Sequence, residues 1–403
     1  MMNQRGLVMA LSLAVVVVLT TLGASFLNRS LSEDRLGRRT VDRQVAFYLA
    51  EAGVDRAIAE LRNNPAWSGV SYTPMTGVAG GYEVTVAALS PALKRLTSTG
   101  HVPSNIPTAA GYQPWRLETV VEVVTPSVFQ FSVFGAERVR MKVNDEDDDG
   151  DNDENERPDA HVLIDSYDSS VGTYLSQTPG QQGDVGTNHI EDDAIRLKAN
   201  TGEGSITVHG QVKVGPNLPD PATAVEITGT VTITGNPPIV SQAQALSLPA
   251  VTIPSPCSGG GDMKLKGGEA LTLFQSASPY CYTKLDLKDQ SSIIVQGNVV
   301  IYTGEFTVKQ DAQVNAAGRP TQLIIQVTSN KNVKLQDGAR VVAGIYAPQS
   351  KAKVKDDVVL YGSLVAARIK VKHGAALHYD EALASVGPSS GSAEARLRSW
   401  REP

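Results

Sequence analysis

Near the start of the chain, 21 consecutive residues from Leu7 to Leu27 carry no charge. An α-helix rises about 1.5 Å per residue, so a helix of this length is about 31 Å long and can cross the hydrocarbon core of a bilayer. No turn signal follows the apolar run, and the pattern stays helical as far as Asn63-Asn64-Pro65, where proline ends it. The sequence therefore predicts one continuous helix that is apolar in its first half and amphipathic in its second.

The second half of this predicted helix carries a stripe of small and apolar side chains at helical spacing. The stripe consists of Ala46, Ala50, Gly53, Val54, Ala57 and Leu61. The N-terminal part of the chain resembles the N-terminal domain of PilX-type minor pilins and pilus-assembly proteins, and the match is carried by Arg5-Gly6, the apolar run and the segment Ala46-Phe47-Tyr48-Leu49-Ala50-Glu51-Ala52-Gly53. This resemblance extends from the start of the chain to about position 60. It implies a subunit that sits in the lipid bilayer before assembly and then packs through this helix with other pilin subunits and pilus-assembly proteins.

The resemblance also implies processing by a prepilin peptidase between Gly6 and Leu7, where a short basic leader ends. Major pilins carry glutamate at the fifth residue after the cut, where this chain has Leu11, which favours a different docking position such as a filament tip. The alternative is a secretory signal peptide cut near Gly23-Ala24.

The same resemblance implies a single-pass protein of the bacterial inner membrane whose C-terminal part lies outside the cytoplasm, in the periplasm or on a cell-surface filament. Five arginines follow the apolar run and one precedes it. By the positive-inside rule alone, that distribution would favour the opposite orientation. The orientation outside the cytoplasm therefore rests on the resemblance.

Residues 65–126 contain alternating stretches of strand type. These stretches are Gly81–Val86, Arg95–Gly100 and Arg116–Val124. We expect three or four antiparallel strands packed on the amphipathic half of the helix, which is an α+β, pilin-like head. The predicted organisation begins with leader, transmembrane and amphipathic helix at 1–64 and a sheet head at 65–126. A connecting hairpin and an acidic loop follow at 127–160.

Residues 161–383 show apolar alternation punctuated by glycine, without a helical segment. The pattern at positions 206–214 recurs at 225–233, and the pattern at 333–341 recurs at 352–360 and again at 369–377. A nearly constant period of roughly 17–19 residues indicates the coils of an all-β, right-handed β-solenoid. A β-sandwich, whose strands would alternate without a fixed period, is the alternative.

Several stretches of this region also resemble the β-solenoid domain that often follows a PilX-type helix. Among them are Gly344–Pro348, Leu360–Ala366 and His378–Asp380. Aromatic residues make up only 5% of the chain, which fits coils filled by small and β-branched side chains. Residues 384–403 are predicted to be a flexible tail, except that Ser399–Glu402 resembles a family terminus and could dock.

Nine acidic residues between Asp145 and Glu156 account for more than the net charge of −6. The rest of the chain is close to neutral, and nothing in it indicates a nucleic-acid partner. Seven residues of this segment match the D-x-D-x-D-G-x₅-E calcium loop, in which carboxylates supply the oxygen ligands and glycine permits the sharp turn. They are Asp145, Asp147, Asp149, Gly150, Asp151, Asp153 and Glu156.

The calcium prediction has an alternative, because Asn152 occupies a position that is usually apolar and no helices are predicted on either side. A solvated acidic linker that repels itself would have the same composition. Ca²⁺ is thus a possible cofactor, and we expect no other.

Basic residues alternate along the last predicted coils. They are Lys351, Lys353, Lys355, Lys370 and Lys372, with Arg340 and Arg368 nearby. If the intervening valines point inward, these side chains point outward and stack across coils. Such a stripe could bind an anionic polymer or the acidic loop of a neighbouring subunit, or it could be a solvated outer face.

The two cysteines of the chain, Cys257 and Cys281, both follow the membrane-crossing segment. In an oxidising compartment they can form a disulfide, and two free thiols are the alternative.

Parallel β-helices include polysaccharide lyases and hydrolases, which need acidic or basic groups that converge on one groove. The candidates here are Asp286, Asp289, Asp356, Asp357, His373 and His378, and they form no recognisable motif. His378 is better interpreted as a satisfied histidine at the end of the domain. We therefore predict no enzymatic activity.

The favoured function is a minor-pilin-like structural subunit of a type IV pilus or related filament that displays a β-solenoid for adhesion or assembly. A membrane-anchored, solenoid-type carbohydrate-active enzyme and a secreted β-solenoid protein that discards its first segment are the alternatives. The sequence does not distinguish a pilus from a secretion pseudopilus.

Overall fold

The computed structural model describes residues 4–90, 92–124, 126–143, 160–199, 204–390 and 394–401. The chain divides into two compact units, one of Met1–Val124 with Ser392–Pro403 and one of Thr125–Gly391. A long helix and an antiparallel sheet form the first unit. A large β-rich region with parallel strand pairing forms the second.

The predicted continuous helix is present as α1, Gln4–Asn63. The helix contains no proline. Pro65 lies two residues after its end and cannot continue the hydrogen-bond ladder, which explains why the helix stops here. One face of its second half is buried, with Ala46, Ala50 and Leu61 at 0% exposure. The helix therefore meets solvent along its first half and a protein core along its second.

The sheet of the first unit has five antiparallel strands in the order β1-β2-β3-β4-β28. Their bounds are β1 Gly69–Pro74, β2 Gly81–Ala88, β3 Leu93–Val102, β4 Gln113–Val124 and β28 Glu394–Arg401. Val84, Leu96 and Val121 point from this sheet into one core with Ala57 and Leu61 of the helix. This confirms a small sheet that covers the amphipathic half of the helix.

The fifth strand corrects the prediction that residues 384–403 form a flexible tail. β28 pairs antiparallel with β4, from Glu394 opposite Val124 to Arg401 opposite Glu118. Within the described residues, the first part of the predicted tail belongs to the second unit, where residues 381–385 form a 3₁₀ turn and Ser389 bridges to Ser127. The Gly/Ser-rich composition suggested mobility. Composition does not reveal that β28 pairs with β4, which lies almost three hundred residues earlier in the chain.

Within the residues that the structure describes, the second unit contains 23 strands in one sheet. Their bounds are β5 Val133–Val143, β6 Ala160–Tyr167, β7 Val185–Thr187, β8 Ile195–Ala199, β9 Gly204–Val208, β10 Val212–Pro216, β11 Val225–Thr228, β12 Val231–Ile233, β13 Ile239–Gln242, β14 Ser258–Gly259, β15 Asp262–Leu265, β16 Ala270–Phe274, β17 Tyr280–Tyr282, β18 Lys284–Leu287, β19 Ser292–Gln296, β20 Val299–Thr303, β21 Phe306–Val308, β22 Gln313–Val314, β23 Leu323–Val327, β24 Val333–Leu335, β25 Arg340–Val354, β26 Val359–Lys372 and β27 Ala376–Asp380. Short 3₁₀ turns lie at Tyr174–Ser176, Pro221–Ala224, Gln275–Ala277, Pro320–Gln322 and Glu381–Ser385.

Many of these strands pair in parallel with the third strand after them, as β15 does with β18 and β18 with β21. In the last part of the unit the predicted period is confirmed. Val333 pairs with Ala352 and Ala352 pairs with Ile369, which are the same positions that the repeat in the sequence aligned. The turns here are short and nearly constant in length, so the period was readable from the sequence.

The predicted match between residues 206–214 and 225–233 is wrong. Ile206 pairs with Val231 rather than with Val225, and Val225 pairs with Ile195. Strands β9 to β12 all share the same alternation, so the sequence comparison aligned neighbouring segments of the chain instead of paired ones. The inserted 3₁₀ turn Pro221–Ala224 makes the chain between Ile206 and its partner Val231 longer than a regular coil.

The predicted hairpin within residues 127–160 is also wrong. Strand β5 pairs in parallel with β26 on one side and with β7 and β8 on the other. Alternation of buried Val139, Met141 and Val143 correctly indicated a strand. Its partner β26 lies more than two hundred residues later, which no local pattern reveals.

The main core of the second unit consists mostly of valine, isoleucine, leucine and alanine. A separate cluster contains Phe129, Phe131, Phe134 and Tyr346 with Leu246. The Tyr346 hydroxyl donates a hydrogen bond of 2.5 Å to the carbonyl oxygen of Pro249. Small and branched aliphatic side chains thus make up most of the parallel region's core, as expected, and four aromatic rings gather in the separate cluster.

Candidate functional site

The first candidate surface is the apolar half of helix α1. Val15–Leu19, Leu22, Phe26 and Leu27 are each at least 50% exposed. From Val15 onward the described part of this helix is long and apolar enough to cross a membrane, a test that a signal sequence also passes. The backbone is helical through Gly6 and Leu7, the predicted processing point. An exposed apolar surface of this size is typical of a segment that contacts lipid or another apolar surface.

The other half of α1 packs unusually close to the sheet through two glycines. A Cβ added at Gly100 of β3 would overlap the carbonyl oxygen of Ala46 and lie 2.7 Å from the amide nitrogen of Ala50. A Cβ added at Gly53 would overlap the hydroxyl of Ser98. The motif that carries the PilX-type resemblance is therefore the part of the helix that the sheet holds.

An aromatic contact also holds this segment. The ring of Phe47 meets that of Trp115 edge to face, with centroids 5.9 Å apart. The guanidinium of Arg43 lies 4.7 Å from the Trp115 ring. These contacts fix the point at which the helix leaves the sheet.

The second candidate surface lies on the second unit, where strand register brings basic residues side by side. We call this surface the basic face. It consists of Arg138, Arg140, Lys142, Arg196, Lys198, Lys334, Lys351, Lys353, Arg368, Lys370 and Lys372.

The longest row of the basic face runs through five paired strands, in which Lys334, Lys353, Lys370, Arg140 and Arg196 are successive register partners. Neighbouring strands lie about 4.8 Å apart, so these are directly adjacent like charges. The predicted stacking of lysines is thus present and extends further than expected.

Two shorter rows flank the long one. Lys351, Arg368 and Arg138 are register partners in one, and Lys372 and Lys142 are partners in the other, which continues to Lys198. The sequence analysis missed Arg138, Arg140, Arg196 and Lys198, because they come from strands β5 and β8, far from the last coils.

Two residues predicted for the basic stripe lie elsewhere. The guanidinium of Arg340 lies 4.7 Å from the ring of Tyr361, and Lys355 pairs with Asp356 at 3.2 Å.

Carboxylates pair with the basic face along its β8 edge. Asp193 lies 2.5 Å from Arg196 and 3.7 Å from Arg138, and Glu226 lies 3.2 Å from Lys198. Glu137 pairs with Arg368. Part of the positive charge is therefore balanced by neighbours within the second unit.

The predicted calcium ligands Asp145, Asp147, Asp149, Asp151, Asp153 and Glu156 lie outside the described residues. Within the described ranges, no group of three or more His, Cys, Asp or Glu side chains is placed to hold a metal ion.

A third group of titratable residues surrounds His378. Its Nδ1 lies 2.6 Å from Oδ1 of Asp165, and the Tyr174 hydroxyl donates to Oδ2 of the same carboxylate at 2.7 Å. The His378 ring packs against Tyr174 and Tyr361, tilted by 33° to each, with ring centroids 3.9 and 4.9 Å away. Burial and the hydrogen bond to Asp165 raise the pKa of Tyr174 well above its ordinary value, so its hydroxyl remains a donor.

The histidines considered as catalytic candidates have different carboxylate partners. His373 lies 3.7 Å from Asp356, whereas His378 pairs with Asp165, a residue that sequence reasoning did not consider for chemistry. Asp286 lies 3.5 Å from Lys284. Asp165 and His378 are buried beneath the aromatic rings, at 1% and 5% exposure. This arrangement satisfies His378 internally, in line with its interpretation as a structural residue.

A shallow cleft lies on another part of the second unit. It is lined by Asn298, Val299, Val300, Thr321, Ile324, Gln326, Val386, Gly387 and Pro388. None of these side chains titrates near neutral pH, so the cleft offers no acid or base.

Cys257 and Cys281 are joined by a disulfide, with their Cα atoms 5.9 Å apart. Cys281 lies on β17, and the neighbouring Ser258 and Gly259 form the paired strand β14. The disulfide therefore links the residue just before β14 to β17, the strand with which β14 pairs.

Three comparisons relate this chain to known proteins. A family model described as a domain of unknown function, DUF7305, matches residues 283–386. No curated protein matches the chain. The crystal structure of the competence-associated pilin ComZ from Thermus thermophilus is similar over 90% of this chain and 97% of that one, with 11% identity and a TM-score of 0.31. A similarity at that TM-score is too low to carry an argument about function.

Proposed function

We propose that this protein is a minor-pilin-like subunit of a type IV pilus or related filament. It is inserted in the inner membrane through the first half of α1 before assembly, and it displays the second unit outside the cytoplasm. We propose a structural role for it, which is supported by the burial of the Asp165–His378 pair.

The observation that carries this proposal is the division of α1 into two environments. Its second half is held by a small antiparallel sheet, with Ala46, Ala50 and Leu61 fully buried. Its first half exposes an apolar surface long enough to cross a bilayer. A helix that is first embedded in lipid and later packed among like helices needs this combination. A signal peptide that is removed would not need the continuous helical connection to the head.

We further propose that the second unit is a right-handed β-solenoid. Pairing of each strand with the third strand after it, seen from β14 to β24, is what three strands per coil produce. Crossovers between parallel strands are right-handed in nearly all proteins, which supports the handedness. A solenoid exposes long flat faces, which suit contact with surfaces, cells or other subunits during adhesion or assembly.

The function is tested by placing a charge in the middle of the apolar run. Val17 and Val41 are both exposed on α1, at 54% and 57%, but only Val17 lies near the centre of the apolar run. Arginine at the centre of a membrane helix costs about 3 kcal/mol on insertion scales. We expect Val17→Arg to lower the membrane-bound fraction in native cells and to remove the protein from sheared filaments, whereas the matched Val41→Arg changes neither.

Equal membrane partition and equal filament content of the two variants would refute the proposed role of the helix. Western blots of total cells control for abundance. Tryptophan fluorescence of the purified variants controls for folding of the first unit.

A further inference from the structure

The parallel strands of the second unit pair in three series, and each series stops at two terminal strands. One series runs from β11 through β8, β5, β26, β25, β24, β21 and β18 to β15. The other two run from β12 to β16 and from β13 to β14. We call β11–β13 the β11 end and β14–β16 the β14 end. Among the described strands, register pairs lie along one edge of each of these six strands, so their outer edges are open.

Core side chains lose their cover at both ends. Ile227 of β11 is 45% exposed, whereas its register partner Leu197, one strand further inward, is 0% exposed. Val225 at the same end is only half-buried, and so are Met263 and Leu271 at the β14 end. A terminal repeat that meets water needs a polar outer face, and an open strand edge is a template for pairing with another chain. Each end is therefore an interaction surface.

The two ends fit each other in strand direction and in register. Every pairing in a series is parallel, so the outer edges of β11 and β15 belong to strands that run the same way. Register partners followed along the series lead from Val225 to Met263 and from Ile227 to Leu265. A second copy whose β15 continued the series beyond β11 would place these apolar side chains opposite one another.

The charges at the two ends also complement each other. The same register that opposes Ile227 and Leu265 brings Glu226 opposite Lys264. Within the chain, Glu226 lies 2.5 Å from Arg196, and Lys264 lies 3.2 Å from Asp262. The junction would therefore add an opposite-charge pair between strands that already alternate in charge, and such pairs stabilise a sheet.

We propose that the β11 end of one copy docks on the β14 end of a second copy, so that parallel pairing continues from chain to chain. This docking requires the three-strand coils proposed above, and it is independent of membrane insertion. Because the contact joins two different surfaces of the same chain, each pair of copies keeps one free end on either side. The contact can then repeat and join the second units of successive copies in a row.

Cross-linking of the full chain in detergent tests the proposal. Glu226→Cys and Lys264→Cys are made in separate chains with different tags, and a short bifunctional maleimide is added to the mixture. The native disulfide leaves no other thiol to react. We expect a product that contains both tags, and no dimer when either variant is treated alone. A mixture without that product, or a dimer of one variant alone, would overturn the proposal.

A chain that carries both Lys264→Cys and Asp286→Cys separates failure of docking from failure of the coil. These two positions are register partners within one chain, so the maleimide should join them whether or not copies dock. Loss of this internal product would contradict the proposed coils. Its presence without the product between copies would overturn the docking alone.

Sedimentation of the full chain in detergent supplies a second readout. Ile227 lies at the β11 end, whereas Ile294 of β19 is equally exposed, at 47%, and lies outside both ends. We expect Ile227→Lys to abolish the rise in mass with protein concentration, because it buries an ammonium group against Leu265. The matched Ile294→Lys should retain that rise. Equal behaviour of the two variants, as expected for association through α1, would overturn the proposal.

Discussion

Replacing Gly100 by alanine tests how closely the sheet holds helix α1. The added methyl group would overlap the carbonyl oxygen of Ala46 and crowd the amide nitrogen of Ala50, and both are backbone atoms that cannot rotate away. Overpacking of this kind costs up to about 3 kcal/mol. The reduced flexibility of the unfolded chain offsets about 0.5 kcal/mol of that loss. We therefore expect a net loss of about 2.5 kcal/mol from the free energy of unfolding.

The assay uses a chain that begins at Asn28, which lacks the apolar run and is expected to be soluble. The three tryptophans, Trp67, Trp115 and Trp400, all lie in the first unit, so their fluorescence reports its unfolding alone. At about 4 °C per kcal/mol for a unit of this size, Gly100→Ala should lower the melting temperature by about 10 °C.

Gly37→Ala is the matched control for this substitution. An added Cβ at Gly37 meets nothing within 4 Å, and alanine favours a helix over glycine by about 1 kcal/mol or less. We expect its melting temperature to stay level or rise slightly. A Gly100→Ala chain that melts at the same temperature as the parent would refute the close packing of helix and sheet.

Three further outcomes are expected. Both Cys257 and Cys281 should resist alkylation in denatured, unreduced protein from the exported fraction, because a disulfide leaves no free thiol; full alkylation would contradict this. The bridge across 24 residues contributes about 3 kcal/mol to stability in the chain-entropy model. Burial raises the pKa of Asp380, so the folded state keeps its proton to higher pH than the unfolded state, and this group's contribution to stability is lost as pH rises through the folded pKa. Asp380→Asn should therefore stabilise the second unit more at pH 8 than at pH 4, and a gain independent of pH would be inconsistent with that linkage. Removal of Glu394–Arg401 should lower the melting temperature of the first unit by exposing the edge of β4, and unchanged melting would mean that β28 contributes nothing.

Local patterns predicted the elements whose partners lie nearby or at constant spacing. The stripe of Ala46, Ala50 and Leu61 follows the helical period, and its burial could be read directly. The pairing of Val333 with Ala352 was readable because short turns keep the spacing regular. Where a turn is lengthened, as after β10, the same alternation misled the comparison of residues 206–214 with 225–233.

Pairings between distant parts of the chain left no local signal. Strand β5 and strand β28 were recognisable as apolar alternation and as a possible docking terminus, but their partners β26 and β4 lie hundreds of residues away. The candidate site shows the same limit. Alternating lysines at Lys353 and Lys370 indicated a basic stripe, whereas Arg140 and Arg196 join it only through long-range register.

The first residue of the mature protein decides whether this chain is processed and anchored like a pilin subunit. Mass spectrometry of the protein extracted from membranes and sheared filaments, in cells with an active prepilin peptidase, identifies that residue. The proposal predicts Leu7, with the rest of α1 retained as the anchor. Met1 as the first residue, or Ser25 in a secreted and lipid-free protein, would contradict it.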